Sequence, residues 1–132
     1  MKYTLEDAAR LYREAKTLGL SGAELLSDPA AVVRDCNGIG ADWMPAGMRD
    51  LCTKLNPVME LAACIHDRRY AIGGVSPGRN FADAEFLGNV QTSIEHKYRW
   101  YDPRRYIAMN RAVRYYAYLN TFGAIAYGGG AK

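Results

Sequence analysis

The feature that most constrains this chain is a pair of helical stretches separated by a turn of about six residues, from Gly73 to Gly78. Apolar side chains recur at helical spacing on both sides of that turn. They stand at Leu61, Ile65 and Tyr70 before it, and at Phe86, Val90, Ile94 and Trp100 after it. Helices joined by so short a connection return alongside one another. The sequence therefore predicts two long antiparallel helices, the first from Asn56-Pro57 and the second from about Phe81.

Helix start and stop signals predict helices in the rest of the chain as well. The signals are Thr4 with Asp7 and a stop at Gly19, a second capping box at Ser21 with Glu24, Asp28 followed by Pro29, and Asp102 followed by Pro103. The last of these begins a long C-terminal helix that ends in three glycines. No alternating strand pattern of useful length competes with these helices. We expect a single all-α domain over residues 1–132.

Composition restricts where such a chain acts. With 132 residues and 49% hydrophobic content, it is long enough for a modest core of its own. No apolar run reaches the roughly 18 residues of a membrane span, and the first residues lack the apolar run of a signal peptide. We expect synthesis in the cytoplasm, followed by a place on a virion or by export without an N-terminal signal. Three cysteines, Cys36, Cys52 and Cys64, are an odd number without zinc-site spacing, so buried reduced thiols are expected.

The basic residues are unevenly placed, although the net charge is only +3. Six of them fall in residues 97–114, against Asp102 alone: Lys97, Arg99, Arg104, Arg105, Arg111 and Arg114. Such a stretch can meet phospholipid headgroups or nucleic acid, or it can be the solvated face of a long helix. No base-reading motif accompanies it, so no nucleic acid partner is expected.

His66 and Asp67 interrupt the apolar pattern of the first long helix in "ELAACIHDRRY". His66 and Tyr70 are four residues apart and share a helix face. Asp83 falls in the first turns of the returning helix, where it can face His66, with Tyr70 close enough to donate a hydrogen bond to it. A carboxylate on one imidazole nitrogen leaves the other free to act as a base.

Asp67 and the glycine-containing stretch "CNGIGAD" together offer the ligands of a cation site. Calcium takes carboxylate and main-chain oxygens, and glycines let a backbone curl around an ion. Each residue also has a plainer interpretation. His66 and Tyr70 can be core side chains, Asp67 can pair with Arg68, Arg69 or Arg49, and Asp83 can be a helix N-terminal charge. A metal-dependent phosphohydrolase is disfavoured because it needs further histidines upstream of His66.

Three segments together resemble the phospholipase A2 family, in its short prokaryotic, fungal and phage-like branch. They are "NGIGADWMP", "ELAACIHDRRY" and "FADAEFLGNV", and the resemblance covers residues 36–90. Where related sequences place a cysteine after "NG", this chain has Ile39, and Cys36 lies three residues earlier. The family implies a metal-binding loop within residues 36–56 and a helical core over residues 57–127, after an N-terminal helical segment.

The resemblance implies calcium-dependent hydrolysis of the sn-2 ester of glycerophospholipids at a transiently bound membrane surface. It implies His66 as the general base, Asp83 as the group that orients it and Tyr70 as the support of Asp83. The implied calcium ligands are Asp67, Asn37, Gly38 and Gly40. The alternative is a non-catalytic membrane- or partner-binding module, such as a virion component, that keeps the fold.

Large side chains outside the site leave two further expectations. Met44 and Met48, with Trp43, flank the loop and can contact lipid or pack in the core. The tyrosines of the C-terminal region are expected to pack the last helix against the long pair. They are Tyr98, Tyr101, Tyr106, Tyr115, Tyr116 and Tyr118.

Overall fold

The computed structural model describes residues 3–36, 44–73 and 78–123, and within these ranges the chain forms helices and no strand. The helices are α1 (Leu5–Leu18), a short 3-10 helix (Ala23–Leu26), α2 (Pro29–Asp35), α3 (Ala46–Leu55), α4 (Glu60–Ile72), α5 (Arg79–Lys97) and α6 (Pro103–Phe122). The prediction of an all-α fold is confirmed. None of these described helices combines the length and apolarity needed to cross a bilayer.

Helices α4 and α5 form the predicted antiparallel pair. The last turns of α4 contact the first turns of α5, through His66 with Asp83 and through Arg69 with Glu85. Helix α6 packs along α5 and also along α3, whereas α1, α2 and the 3-10 helix pack on the opposite side of α4. The α4–α5 pair therefore lies between the N-terminal helices on one side and α3 and α6 on the other.

Two hydrophobic clusters meet at α4. One lies among α3, α4, α5 and α6 and includes Ala62 of α4 and Met59, the residue just before that helix. The other joins α1, α2 and the 3-10 helix to Leu61, Cys64 and Ile65 of the same helix. Because α4 is covered on both sides, a polar side chain on it is forced into a low-dielectric environment and needs a partner.

Most of the predicted helix ends are confirmed. The Thr4 hydroxyl accepts from the Asp7 backbone N–H at 3.0 Å, and the Asp7 carboxylate accepts from the Thr4 N–H at 2.9 Å. Gly19 ends α1 in the left-handed conformation. Asp28 and Asp102 cap α2 and α6, each followed by proline at the start of the helix. These are local contacts between residues two or three apart, and local sequence is enough to predict them.

The capping box predicted at Ser21 and Glu24 is wrong. The 3-10 helix begins after Gly22, and no side chain caps it. The Ser21 hydroxyl instead donates to the buried carboxylate of Glu85 at 2.7 Å. A hydrogen bond to a buried charge is stronger than a neutral, solvent-exposed cap, so the tertiary partner prevails.

The sequence "CNGIGADWMPAGMRD", residues 36–50, has three glycines, a proline and little periodicity, which predicts an irregular stretch. That prediction is wrong from Ala46 onward, where α3 begins. Its buried side chains follow one helical face: Met48, Leu51, Cys52 and Leu55. This face packs in the cluster that α6 helps to form. Within the predicted metal-binding segment, residues 36, 44 and 45 are described and are not helical. Residues 37–43 lie outside the described residues.

Two ends of the long helices differ from the prediction. Helix α4 begins at Glu60 rather than Pro57, because turn hydrogen bonds carry the chain directly out of α3. The Met59 N–H donates to the Leu55 carbonyl at 3.2 Å, and the Glu60 N–H donates to the Pro57 carbonyl at 3.0 Å. Helix α5 begins at Arg79, slightly before Phe81, and ends at Lys97 before Trp100.

Some of the expectations for the large side chains are confirmed and others are wrong. Met48 is fully buried, so its core interpretation is confirmed, whereas Trp43 lies outside the described residues. Tyr115 is buried against Phe86, with ring centroids 5.2 Å apart. Tyr101 and Tyr106 are exposed, so the prediction that they pack α6 against the long pair is wrong.

Two glycines of similar backbone conformation provide a matched test of packing around α4. Gly22 and Gly19 have φ of +83° and +68°. A methyl group at Gly22 would lie 2.8 Å from Ile65 Cγ2 and 2.9 Å from Glu85 Oε2, whereas at Gly19 it would meet nothing within 4 Å. We expect Gly22→Ala to lower the free energy of unfolding by about 3 kcal/mol, from left-handed strain plus overpacking. Gly19→Ala should cost about 1–2 kcal/mol from strain alone. Equal losses in urea denaturation would contradict the close approach at Gly22.

Candidate active site

His66 and Asp83 form a direct pair between α4 and α5. His66 Nε2 lies 2.8 Å from Asp83 Oδ1. The histidine is 6% exposed and the aspartate 0%. Burial of this kind would be costly for either side chain alone, and each supplies the partner that the other needs.

The pairing sets the proton position on the imidazole. A carboxylate accepts, so the favoured tautomer carries its hydrogen on Nε2 and donates it to Asp83. The lone pair then resides on Nδ1. This is the arrangement in which a histidine can take a proton from water on one side while its charge is balanced on the other.

Tyr70 contacts both members of the pair. Its hydroxyl donates to the same Asp83 oxygen at 2.5 Å, and its ring lies 4.0 Å from the His66 ring, centroid to centroid. Burial, followed by the charge of Asp83, raises the pKa of Tyr70 well above its ordinary value. The phenol therefore stays neutral and keeps its hydrogen as a donor, which holds the carboxylate in place.

Arg79 is a fourth member that the sequence interpretation missed. Asp83 Oδ2 is buried without a hydrogen-bond partner, and the Arg79 guanidinium lies 3.6 Å from it, one turn earlier on α5. The same guanidinium donates to the carbonyls of Leu119 and Asn120 at the end of α6, at 2.9 and 3.0 Å. Arg79 thus brings positive charge to the buried carboxylate and is itself fixed by α6. Its spacing of four from Asp83 was the signal available in the sequence.

A small cavity opens beside the histidine. Its volume is about 40 Å³, and its wall includes Tyr3, Asn56, Glu60, His66, Asp67 and Tyr115. A water molecule needs about 10–15 Å³ by this measure together with polar partners. The cavity can therefore hold water next to the imidazole.

Asp67 lines the same cavity and is half-buried. Its negative charge adds to the effect of burial in raising the pKa of Tyr115, and burial with Asp67 raises the pKa of the Cys52 thiol to about 11. Two of the arginines that the sequence offered as partners of Asp67 form ion pairs with other carboxylates. Arg68 pairs with Asp35 at 2.6 Å, and Arg69 pairs with Glu85 at 3.0 Å.

The predicted calcium ligands are only partly described. Asn37, Gly38 and Gly40 lie outside the described residues. Among the residues that are described, no group of three or more histidine, cysteine or carboxylate side chains could hold a metal ion. Asp67 is therefore the one predicted ligand whose surroundings can be tested, and a carboxylate oxygen on a cavity wall suits a hard cation.

The described residues on either side of positions 37–43, Cys36 and Met44, lie in the neighbourhood of Asp67. On one side, the Cys36 thiol donates to the Cys64 carbonyl on α4 at 3.4 Å. The hydrogen bond between the two cysteines and burial raise the pKa of the Cys36 thiol, and the charge of Asp67 adds a smaller effect. On the other side, Met44 lines the cavity together with Asp67. The carboxylate of Asp67 on the cavity wall has the donor chemistry that a hard cation takes, and the other predicted ligands lie outside the described residues.

A buried polar network next to the pair was also missed. Glu85 accepts two hydrogen bonds from Arg69, each at 3.0 Å, and one from Ser21 at 2.7 Å. Asn89 exchanges hydrogen bonds with the Ser21 backbone, at 3.0 and 2.8 Å. These contacts hold residues 21 and 22 against the long pair. The contacts of Ser21 with Glu85 and Asn89 join positions more than sixty residues apart, which no local pattern indicates.

The three cysteines are buried and none is bridged. This agrees with the expectation of reduced thiols. Cys36 contacts Cys64, through the hydrogen bond from its thiol to the Cys64 carbonyl.

Comparison with known proteins adds no relative: no protein-family model, curated protein or solved structure matches the chain.

Proposed function

We propose that the protein is a calcium-dependent hydrolase of the phospholipase A2 type, which cleaves the sn-2 ester of glycerophospholipids. The observation that carries the proposal is the buried His66–Asp83 pair, with Tyr70 on the same carboxylate oxygen and the imidazole on a water-sized cavity. Asp67 on the wall of that cavity supports the second half of the proposal, the cation.

The residues would act in a fixed order. His66 Nδ1 takes a proton from a water molecule in the cavity as the oxygen of that water attacks the ester carbonyl. Asp83 stabilises the imidazolium that results, through the hydrogen bond from Nε2. The proton then passes from Nδ1 to the leaving alcohol oxygen of the lysophospholipid, and the fatty acid is released. Tyr70 and Arg79 keep Asp83 in place throughout.

The cation would be held by Asp67 with oxygens of Asn37, Gly38 and Gly40. When bound, calcium would supply Lewis-acid polarisation of the ester carbonyl. The described residues provide the neighbouring apolar wall for an acyl chain. It consists of Met44, Met59, Ala63, Phe86 and Leu119.

Fatty-acid release tests the proposal and makes a first prediction about the site. Vesicles labelled in the sn-2 chain are incubated with the wild type, His66→Gln and Asp67→Asn, with calcium and with excess chelator. We expect release from the wild type only with calcium. His66→Gln should lower the rate by about 10²–10⁴-fold, because the general base is lost. Asp67→Asn should raise the calcium concentration required.

His96→Gln is the matched control, because His96 is the second histidine and is exposed on α5. It should leave the rate unchanged. Equal release with and without His66 would contradict the proposal. No release at all, while calcium raises the melting temperature of the wild type but not of Asp67→Asn, would favour the non-catalytic module.

A further inference from the structure

We propose that the α5–α6 corner, together with the outer face of α6, is a binding surface for an anionic lipid bilayer. This corner surface has an apolar part and a basic part. The apolar part is Trp100, Tyr101, Tyr106, Ile107 and Val113, and the basic part is Lys97, Arg99, Arg104, Arg111 and Arg114.

The exposed apolar side chains of the described residues are concentrated at this corner. Five of the eight large hydrophobic side chains that are exposed lie between residues 100 and 113. Trp100 is 73% exposed and Tyr101 62%, the former being the highest value among them. Single exposed apolar residues are ordinary, but a group of them marks an interaction site.

The aromatic residues at the corner are held in position. The Trp100 and Tyr101 rings are in edge-to-face contact, with centroids 5.6 Å apart. The Tyr106 hydroxyl donates to the Trp100 carbonyl oxygen, which ties the corner to the first turn of α6. The rings are therefore presented to solvent by a fixed backbone.

The outer face of α6 continues the surface. Ala108, Ala112, Tyr115 and Leu119 form its buried face. Tyr106 and Val113, seven residues apart, lie on the opposite side, next to Ile107 and Arg114. The exposed side of this helix thus combines apolar and cationic side chains.

Positive charge dominates the same surface. No acidic residue occurs from Pro103 to the end of the chain. Asp102, the single acidic residue within residues 97–114, is paired with Arg104 at 2.7 Å. The surface therefore carries a net positive charge that neighbouring carboxylates do not cancel.

An anionic bilayer fits this chemistry better than other occupants. Tryptophan and tyrosine are favoured at the boundary between headgroups and acyl chains, and arginine and lysine are attracted to anionic headgroups. A phosphodiester backbone would use the cations but leave Ile107, Val113 and much of Trp100 in water. A second copy of the chain would bring two positive surfaces together.

None of the residues of the corner surface lines the cavity of the candidate active site, and the corner itself is at the far end of α5 from Asp83. Asp83 and Lys97 are fourteen residues apart on α5, which is about 20 Å along a helix axis. The inference therefore stands on its own and does not rest on the proposed hydrolysis.

The test measures binding to vesicles of phosphatidylcholine mixed with phosphatidylglycerol in equal parts, in the presence of chelator so that hydrolysis does not intervene. Trp43→Phe leaves Trp100 as the single tryptophan, whose fluorescence reports its environment. We expect a blue shift and co-sedimentation with these vesicles, weaker at high salt and much weaker with phosphatidylcholine alone. Trp100→Ser, and Arg111→Glu combined with Arg114→Glu, should each weaken binding about tenfold or more.

Arg13→Glu combined with Lys16→Glu is the charge-matched control, because both side chains are exposed on α1. It should bind anionic vesicles nearly as well as the wild type. Wild type that does not bind, or corner variants that bind as well as the wild type, would overturn the proposal. Stronger retention on duplex DNA than on vesicles, or a dimer that Trp100→Ser dissociates, would overturn it in favour of those occupants. A failure of fatty-acid release would leave this result unaffected.

Discussion

Asp83→Asn is expected to lower turnover of a phospholipid ester by about 10³–10⁴-fold without unfolding the protein. The asparagine side chain has nearly the same shape, so the packing between α4 and α5 is kept. Its amide, however, can donate a hydrogen bond to His66 Nε2. That contact favours the tautomer with hydrogen on Nδ1, which removes the lone pair needed to accept a proton from water.

Loss of the carboxylate charge acts in the same direction. Asp83 Oδ1 lies 2.8 Å from Nε2 and stabilises a positive imidazole in a site that is almost fully buried. A neutral amide provides no such stabilisation when the base has taken its proton. We therefore expect tautomer and charge both to reduce kcat, whereas the apolar wall of the cavity is unchanged.

Tyr70→Phe separates positioning from charge. It removes the hydroxyl that donates to Asp83 Oδ1 at 2.5 Å but keeps the carboxylate and the tautomer. We expect a loss of about ten- to a hundredfold, since one hydrogen bond to a charged group contributes about 1.5–3 kcal/mol. The measurements are kcat and KM for monomeric short-chain phospholipid, with a thermal melt of each variant. Similar losses for Asp83→Asn and Tyr70→Phe, or a change confined to KM, would contradict the assigned roles.

Glu85→Ala is expected to give the largest loss of stability, about 3–5 kcal/mol in the free energy of unfolding. The Glu85 side chain is 1% exposed and pairs with Arg69, whose side chain is 18% exposed. Alanine would leave the guanidinium largely buried without its counter-charge. It would also remove the acceptor of the Ser21 hydroxyl and release the segment that packs against α4 and α5.

The exposed pair of Asp50 and Lys54 is the matched control. Its atoms lie 2.9 Å apart, but the side chains are 60% and 48% exposed. Asp50→Ala should cost less than about 1 kcal/mol, because solvent screens the pair. Urea denaturation of both variants gives the comparison. A Glu85→Ala variant as stable as Asp50→Ala would show that the buried network contributes little.

Part of the fold follows from local sequence. The starts of α1, α2 and α6 depend on capping contacts between residues two or three apart, and these starts are where the sequence places them. The end of α1 at Gly19 is also as predicted. Helix α3 was missed altogether, because Gly47 and the nearby Pro45 suggested a loop. The helix forms there because Met48 and its neighbours bury one face against the helices around it. Burial outweighed local propensity at that point.

For the candidate site too, the sequence predicts some of the residues that come together and misses others. His66, Tyr70 and Asp83 could be brought together from the sequence, since helical spacing and a short turn leave few ways to place them. Arg79 was overlooked although its spacing from Asp83 was visible, because its importance depends on a buried oxygen and on the end of α6. Ser21 contacts Glu85 and Asn89, more than sixty residues away in the sequence. Helical periodicity cannot predict contacts over such a separation.

The sequence by itself thus determined that the chain is helical, where most helices begin, and that a histidine and a carboxylate face each other across a helical pair. Only the tertiary structure decided which charges are buried and paired, and which aromatic side chains of the C-terminal helix face solvent. The physical reason is that periodicity describes one helix at a time. The free energy of burying a charge or exposing a ring depends on the neighbours that other helices supply.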